Sequence, residues 1–180
     1  MKYTEKRVMI KLSCLIVAVV FAAACNSNGS LTAMRQVDRD FVLKASEANI
    51  AEIEIGEIAI MNATTPEVRT FAEMMRTDHQ SALDDLKALA NDKNTGITLS
   101  INFDHQKIKQ YLAQLNGYAF DTAYMQSRIR DIEKTITIFE TEISTGSDSQ
   151  IVDHATEYLM HLQRHRQQAD SISSLIKNSN

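Results

Sequence analysis

The sequence predicts an all-α protein in which four long helices pack as an antiparallel bundle, with a short extra helix in the crossover. From residue 37 onward, apolar side chains recur every three or four residues, and no stretch alternates as a half-buried strand does. Only five glycines and one proline, Pro66, occur among 180 residues, which disfavours turn-rich sandwiches and barrels. Four long segments with one apolar face each, joined by short connections, are typical of a helical bundle.

The first 24 residues are predicted to be a lipoprotein signal peptide. Four basic residues precede the uncharged residues 12–24, a segment too short to span a bilayer but suited to an export signal. Three alanines then lead into Cys25, which resembles a bacterial lipobox, although Ala22 stands where leucine is more common. Acyl chains on the thiol and the amine of Cys25 would anchor the protein stably in a membrane. The alternative is ordinary secretion, with a free thiol at Cys25.

Residues 25–36 are predicted to be a flexible tether, and residues 37–177 the helical domain. Beyond residue 24 the chain has 15 basic and 22 acidic residues, a net charge of −7, which disfavours a nucleic-acid partner. Two cysteines cannot build a disulfide framework or a cysteine-ligated metal site.

The first long helix is predicted at residues 37–62, and the second runs to about residue 93. Phe41, Ile55 and Ala59 lie on one stripe of the first helix. The second helix begins at Pro66, with Thr64 as the expected N-cap and Glu67 at the spacing of a capping box.

A short helix is predicted at residues 103–115, followed by long helices at residues 118–144 and 148–177. The fourth helix has the most regular apolar stripe: Met125, Ile129, Ile132, Ile136, Phe139 and Ile143. Gly146 ends this helix, and Ser147 with Gln150 has the spacing of a second capping box. The charged residues between 128 and 134, which include Arg128 and Asp131, are expected to form a solvated face.

Three polar residues occupy positions of the predicted core: Glu52 on the first helix, His79 on the second and His165 on the last. A carboxylate and two imidazoles that face one another suit iron, zinc, manganese or copper. The alternative that we favour is a hydrogen-bonded network, which satisfies the buried groups and fixes the helix register. A third possibility is that one or more of the three side chains face solvent. No cofactor is therefore predicted, and a metal ion is the alternative.

No catalytic residues are predicted. Di-iron bundles need an acidic residue three positions before a histidine on each of two helices, and no histidine of this chain has one. The nucleophile elbow, the phosphate-binding glycine loop and the His-Glu-x-x-His motif are also absent from the sequence.

Several segments together resemble one family. They are residues 51–56 (AEIEIG), residues 62–72 (NATTPEVRTFA), the dipeptide Asp78-His79 and residues 120–125 (FDTAYM). In these, from Asp40 to Ala169, the chain is similar to the DUF4142 family of exported bacterial proteins. The resemblance implies a ferritin-like four-helix bundle and a location in the cell envelope.

The resemblance also implies that Asp78-His79 corresponds to the family's Asp-His dipeptide, and His165 to its late histidine. Many members have a second Asp-His where this chain has Asp131-Ile132. One potential ligand of the family is therefore replaced by a hydrocarbon side chain, which lowers our expectation of a metal centre.

The predicted function is that of a lipid-anchored envelope protein with a structural or binding role and no catalytic activity. The alternative is a metal-binding protein, with or without redox activity, that uses Glu52, His79 and His165. Recognition of a protein partner through an outer helix face is a third reading, for which the sequence shows no distinct patch.

Overall fold

The computed structural model describes residues 34–178, and this part of the chain is all-α, with five helices and no strand. The helices are α1 (Gln36–Asn62), α2 (Pro66–Asp92), α3 (Phe103–Leu112), α4 (Gly117–Thr145) and α5 (Ser149–Asn178). All five predicted helices are confirmed, and most ends agree within two residues. The predicted signal peptide, Cys25 and the tether up to residue 33 lie outside the described residues.

The four long helices share one core. Three-residue connections join α1 to α2 and α4 to α5, so each of these pairs is an antiparallel hairpin. The hairpins pack together through α1 against α4 and α2 against α5. Phe41, Met75, Ile132 and Leu162, one from each long helix, are all buried in the same hydrophobic cluster, as the helical period predicts. Within residues 34–178, no helix combines the length and the hydrophobicity that a membrane-spanning helix needs.

The predicted stripe of α4 is only half right. Met125, Ile132 and Phe139 are buried, but the isoleucines between them are partly exposed at the edge of the core. Four polar side chains are fully buried on this face: Asp121, Arg128, Thr135 and Glu142. Asp121, Arg128 and Thr135 can occupy these positions because each finds a partner in a neighbouring turn or helix, which compensates for lost hydration.

The turn that leads into α2 is held by a residue from another helix. The carboxylate of Asp121, on α4, accepts hydrogen bonds from the backbone N–H groups of Thr64 (3.0 Å) and Thr65 (2.8 Å), and from the Thr65 hydroxyl (2.5 Å). Neither threonine side chain caps α2 itself. The predicted capping box of Thr64 and Glu67 is therefore wrong, since a carboxylate from α4 supplies the acceptor.

The N-terminus of α5 is held in a similar way. Asp38, on α1, accepts hydrogen bonds from the backbone N–H of Ser147 (2.7 Å), from the Ser147 hydroxyl (2.7 Å) and from the backbone N–H of Asp148 (3.3 Å). Asp148 in turn accepts from the N–H of Gln150, at 3.1 Å. The predicted capping box of Ser147 and Gln150 is wrong, because the Ser147 hydroxyl donates to Asp38 instead.

The short helix α3 lies along α1 and α4, in the crossover between the two hairpins. The segment before it is attached to α1 through Thr98, whose backbone N–H donates to the Ser46 hydroxyl (2.9 Å) and whose own hydroxyl donates to the Leu43 carbonyl (3.0 Å). Asn102 caps α3 by accepting a hydrogen bond from the backbone N–H of His105, at 2.9 Å.

Candidate functional site

A cavity of about 110 Å³ lies among the four long helices. Each helix contributes to its wall: Asn49 from α1, His79 from α2, Phe139 from α4 and His165 from α5. We call this cavity the histidine pocket. Ala82 and Leu162 add apolar wall, and most of the other lining residues have polar side chains.

His79 is held in one tautomer by α1. Its ring is 5% exposed, and its Nδ1 lies 2.7 Å from the side-chain oxygen of Asn49. Because an amide oxygen only accepts hydrogen bonds, His79 Nδ1 carries the proton and donates it. Nε2 therefore keeps its lone pair, and this buried nitrogen has no hydrogen-bond partner.

His165 is held in the opposite tautomer by α2. Its ring is 2% exposed, and its Nε2 lies 2.9 Å from a carboxylate oxygen of the half-buried Asp78. The carboxylate accepts, so Nε2–H donates and Nδ1 keeps the lone pair. His165 Nδ1 is likewise buried and without a partner. The ring centroids of His79 and His165 are 5.6 Å apart, so two free imidazole nitrogens belong to neighbouring rings.

Burial keeps both rings neutral. Burial, followed by the positive charges of a protonated His165 and of Arg128, lowers the pKa of His79 to about 3. Burial also lowers the pKa of His165, against the opposing effect of Asp78. A group with a pKa near 3 is a weak base at neutral pH, which suits a ligand better than a general base.

The half-buried Tyr158 and His161 also line the histidine pocket. The Tyr158 hydroxyl donates a hydrogen bond to Asp85, on α2. Burial, followed by this hydrogen bond, raises the pKa of Tyr158, so the hydroxyl stays protonated and is not a nucleophile.

Glu52 forms an ion pair with Arg128. Its carboxylate lies 2.7 Å from Nη1 of Arg128, whose Nη2 lies 2.8 Å from Asp131. Arg128 is fully buried, so it needs both carboxylates to compensate for its lost hydration. The predicted set of three is therefore divided: His79 and His165 come together, while Glu52 belongs to Arg128. Within residues 34–178, no three or more histidine, cysteine or acidic side chains are grouped as a metal site.

The prediction that residues 128–134 form a solvated face is wrong for Arg128 and Asp131, which are buried. Asp131 also lies 3.8 Å from Nε2 of His105, whose Nδ1 lies 2.8 Å from Glu47. The buried ion pairs thus connect α1, α3 and α4. A sequence signal did exist: Arg128 follows the buried Met125 by three residues, which places both on one helix face.

Comparison with protein families identifies the chain. The model described as "Domain of unknown function (DUF4142)" matches residues 23–172, most of its length. The chain belongs to the DUF4142 family. A search of curated protein sequences returned no match.

Among solved structures, this DUF4142 protein is similar to a DUF305 fragment from Deinococcus radiodurans, with a TM-score of 0.71 at 9% sequence identity. The similarity covers 78% of this chain and 97% of the fragment. At that identity the likeness concerns the fold alone.

The structure gives the Asp-His dipeptide of this DUF4142 protein a geometric meaning. The carboxylate of Asp78, on α2, accepts a hydrogen bond from His165 on α5, so the dipeptide supplies one histidine and the partner of another. Ile132, which occupies the position where many family members have the histidine of a second Asp-His, is buried in the core.

Proposed function

We propose that this DUF4142 protein is a lipid-anchored helical protein of the bacterial cell envelope that faces the periplasm or the exterior. Its role is to bind a small ligand, without catalysis. The anchor rests on one observation: Cys25 directly follows a basic region, an uncharged segment and three alanines. Acylation of that cysteine would attach the helical domain to a membrane.

Binding without catalysis is supported by the histidine pocket. Its two imidazoles are neutral, buried and fixed by Asn49 and Asp78, so they can accept a ligand but exchange protons poorly near neutral pH. Among the described residues that line the pocket, Tyr158 is protonated and hydrogen-bonded to Asp85. These side chains do not form the pair of nucleophile and base that covalent catalysis needs.

We further propose a ferritin-like antiparallel four-helix bundle as the fold. The packing of two antiparallel hairpins through α1 against α4 and α2 against α5 supports this classification. The single long crossover, which includes α3, supports it as well, because ferritin-like bundles have one long connection.

The lipid anchor can be tested with the two cysteines of the chain. In cells grown with labelled palmitate, Cys25→Ser should abolish the label and leave an uncleaved precursor. Cys14→Ser is the matched control, since Cys14 lies within the predicted signal peptide, and it should leave labelling unchanged. Palmitate incorporation into the Cys25→Ser protein would show that the anchor is assigned to the wrong residue.

A further inference from the structure

We propose that His79 Nε2 and His165 Nδ1 together bind one Zn²⁺ or Cu⁺ ion in the histidine pocket. The inference rests on the proposed binding role and names the ligand of that pocket. It needs only two of the three side chains that sequence reasoning selected, and Glu52 is not among them.

The first support is the state of the two nitrogens. Both nitrogens are buried without a hydrogen-bond partner, and both histidines line one cavity. A buried acceptor without a partner costs free energy, so such groups are commonly satisfied by a water or an ion. Here two of them occur on neighbouring rings, each with its lone pair available.

The second support is how the other two nitrogens are used. A histidine that ligates a metal nearly always donates its remaining N–H to a carboxylate or a carbonyl oxygen, which fixes the ring and its tautomer. His79 donates to the amide oxygen of Asn49, at 2.7 Å, and His165 donates to Asp78, at 2.9 Å. In both rings, the nitrogen that would not bind the ion is thus engaged in the way that is usual for metal-binding histidines.

The third support is the separation of the rings. With metal–nitrogen bonds of about 2.0–2.1 Å, an ion lies about 3.2 Å from each ring centroid, so two ligating imidazoles have centroids about 5 to 6.4 Å apart. The 5.6 Å between the centroids of His79 and His165 falls within this range. The spacing of the two rings therefore matches that of two imidazoles bound to one ion.

The chemistry of the ligands selects the ion. Imidazole nitrogens suit zinc and copper, whereas calcium and magnesium take oxygen ligands. The two rings are neutral, and the Asp78 carboxylate places a negative charge beside His165, while Glu52 and Arg128 act on the rings with charges of opposite sign. The pocket, at about 110 Å³, leaves room for water to complete the coordination of Zn²⁺.

The test uses the mature protein, extracted from membranes in detergent and purified without a polyhistidine tag. One arm is dialysed against zinc sulfate, and the other against Cu⁺ under ascorbate without oxygen. Elemental analysis should find one ion per chain in at least one arm, and the two arms distinguish the ions. His79→Gln and His165→Gln should each abolish stoichiometric binding, and Asp78→Ala should weaken it about 10–100-fold, as the loss of an orienting partner does.

His154→Gln is the matched control. His154 is also on α5 and its buried Nε2 also has no partner, but it does not line the histidine pocket. This variant should keep one ion per chain. Equal loss of binding in His154→Gln, or binding that persists in a His79→Gln/His165→Gln double variant, would assign the ion to other histidines and overturn the proposal.

A measurement on the unaltered protein tests the metal site without relying on variants, which could lose the ion because they fail to fold. On addition of Zn²⁺, nitrogen NMR should show changed resonances for His79 Nε2 and His165 Nδ1, while the other two ring nitrogens keep their protons. A protein that is acylated at Cys25 but binds neither ion contradicts the metal site and leaves the anchor standing. Binding of an ion by a protein that is not acylated contradicts only the anchor.

Discussion

Asp38 and Asp121 each hold the turn of the opposite hairpin. Asp38, near the start of α1, holds the turn between α4 and α5, and Asp121, near the start of α4, holds the turn between α1 and α2. The two aspartates are 83 residues apart, and so are Pro66 and Ser149, the first residues of α2 and α5. The two hairpins therefore have the same arrangement of helices and of the aspartate that holds the other hairpin's turn.

We expect each aspartate to be required for stability. Asp121→Ala removes the acceptor of two backbone N–H groups and one hydroxyl, and should lower the free energy of unfolding by about 1–3 kcal/mol. Asp38→Ala should have an effect of similar size. Urea unfolding followed by circular dichroism measures both. The exposed Asp153→Ala, on α5, should change stability by less than about 0.5 kcal/mol, and a similar loss there would contradict the role of the turns.

Arg128 should be more sensitive still. Arg128→Met leaves the buried carboxylates of Glu52 and Asp131 without their cation, and we expect a loss of about 3–5 kcal/mol in the free energy of unfolding. Arg130→Met replaces an exposed arginine two residues away and should be nearly neutral. If both variants unfold at the same urea concentration, the buried ion pair does not stabilise the fold.

Glu142 should make the protein less stable as the pH rises. Burial, followed by the hydrogen bond with Asp38, raises the pKa of Glu142 from 4.5 to about 7. A carboxyl group with a raised folded pKa contributes stability that is present below its unfolded pKa and lost as the pH rises through the folded one.

Glu142→Gln mimics the protonated side chain, so it should be nearly neutral at about pH 5 and stabilising by about 1–3 kcal/mol at about pH 8. Thermal unfolding at both pH values measures this difference. Glu140→Gln, an exposed change on the same helix, should show no such pH dependence. A Glu142→Gln effect of equal size at both pH values would mean that the side chain does not titrate in this range.

His105 should also contribute more to stability in acid. Its hydrogen bond with Glu47 raises the pKa of His105 above 6.5, so its contribution is complete below 6.5 and is lost as the pH rises through the folded value. His105→Gln should therefore cost more stability at about pH 5.5 than at about pH 8.5. Thermal unfolding of the variant and of the unaltered protein at both pH values provides the comparison. A cost that grows with pH would contradict the ion pair between α3 and α1.

The sequence was sufficient for the helices and for the burial of the three polar candidates. Glu52, His79 and His165 are all buried, because the helical period assigns each residue to a face. It could not identify their partners, since the period of one helix carries no information on which residue of another helix lies opposite. Arg128 was overlooked because its charged neighbours suggest a solvated face.

The errors at the helix ends have a related cause. Capping boxes are local, whereas the acceptors used here come from Asp121, 57 residues after Thr64, and Asp38, 109 residues before Ser147. The internal repeat was also hidden from sequence reasoning. Equivalent positions such as Asn49 and Ile132, again 83 residues apart, are both buried but share no chemistry.

The exchange of carboxylates between the hairpins has a consequence for how the chain assembles. In isolation, the α1–α2 hairpin would expose Thr64 and Thr65 amides that have lost their acceptor, and the α4–α5 hairpin would lack the oxygens that Ser147 requires. Neither half is complete by itself, so residues 34–178 should fold in a single cooperative transition. Two fragments produced by cleavage within residues 93–102 should be poorly ordered when separate and regain helicity when mixed.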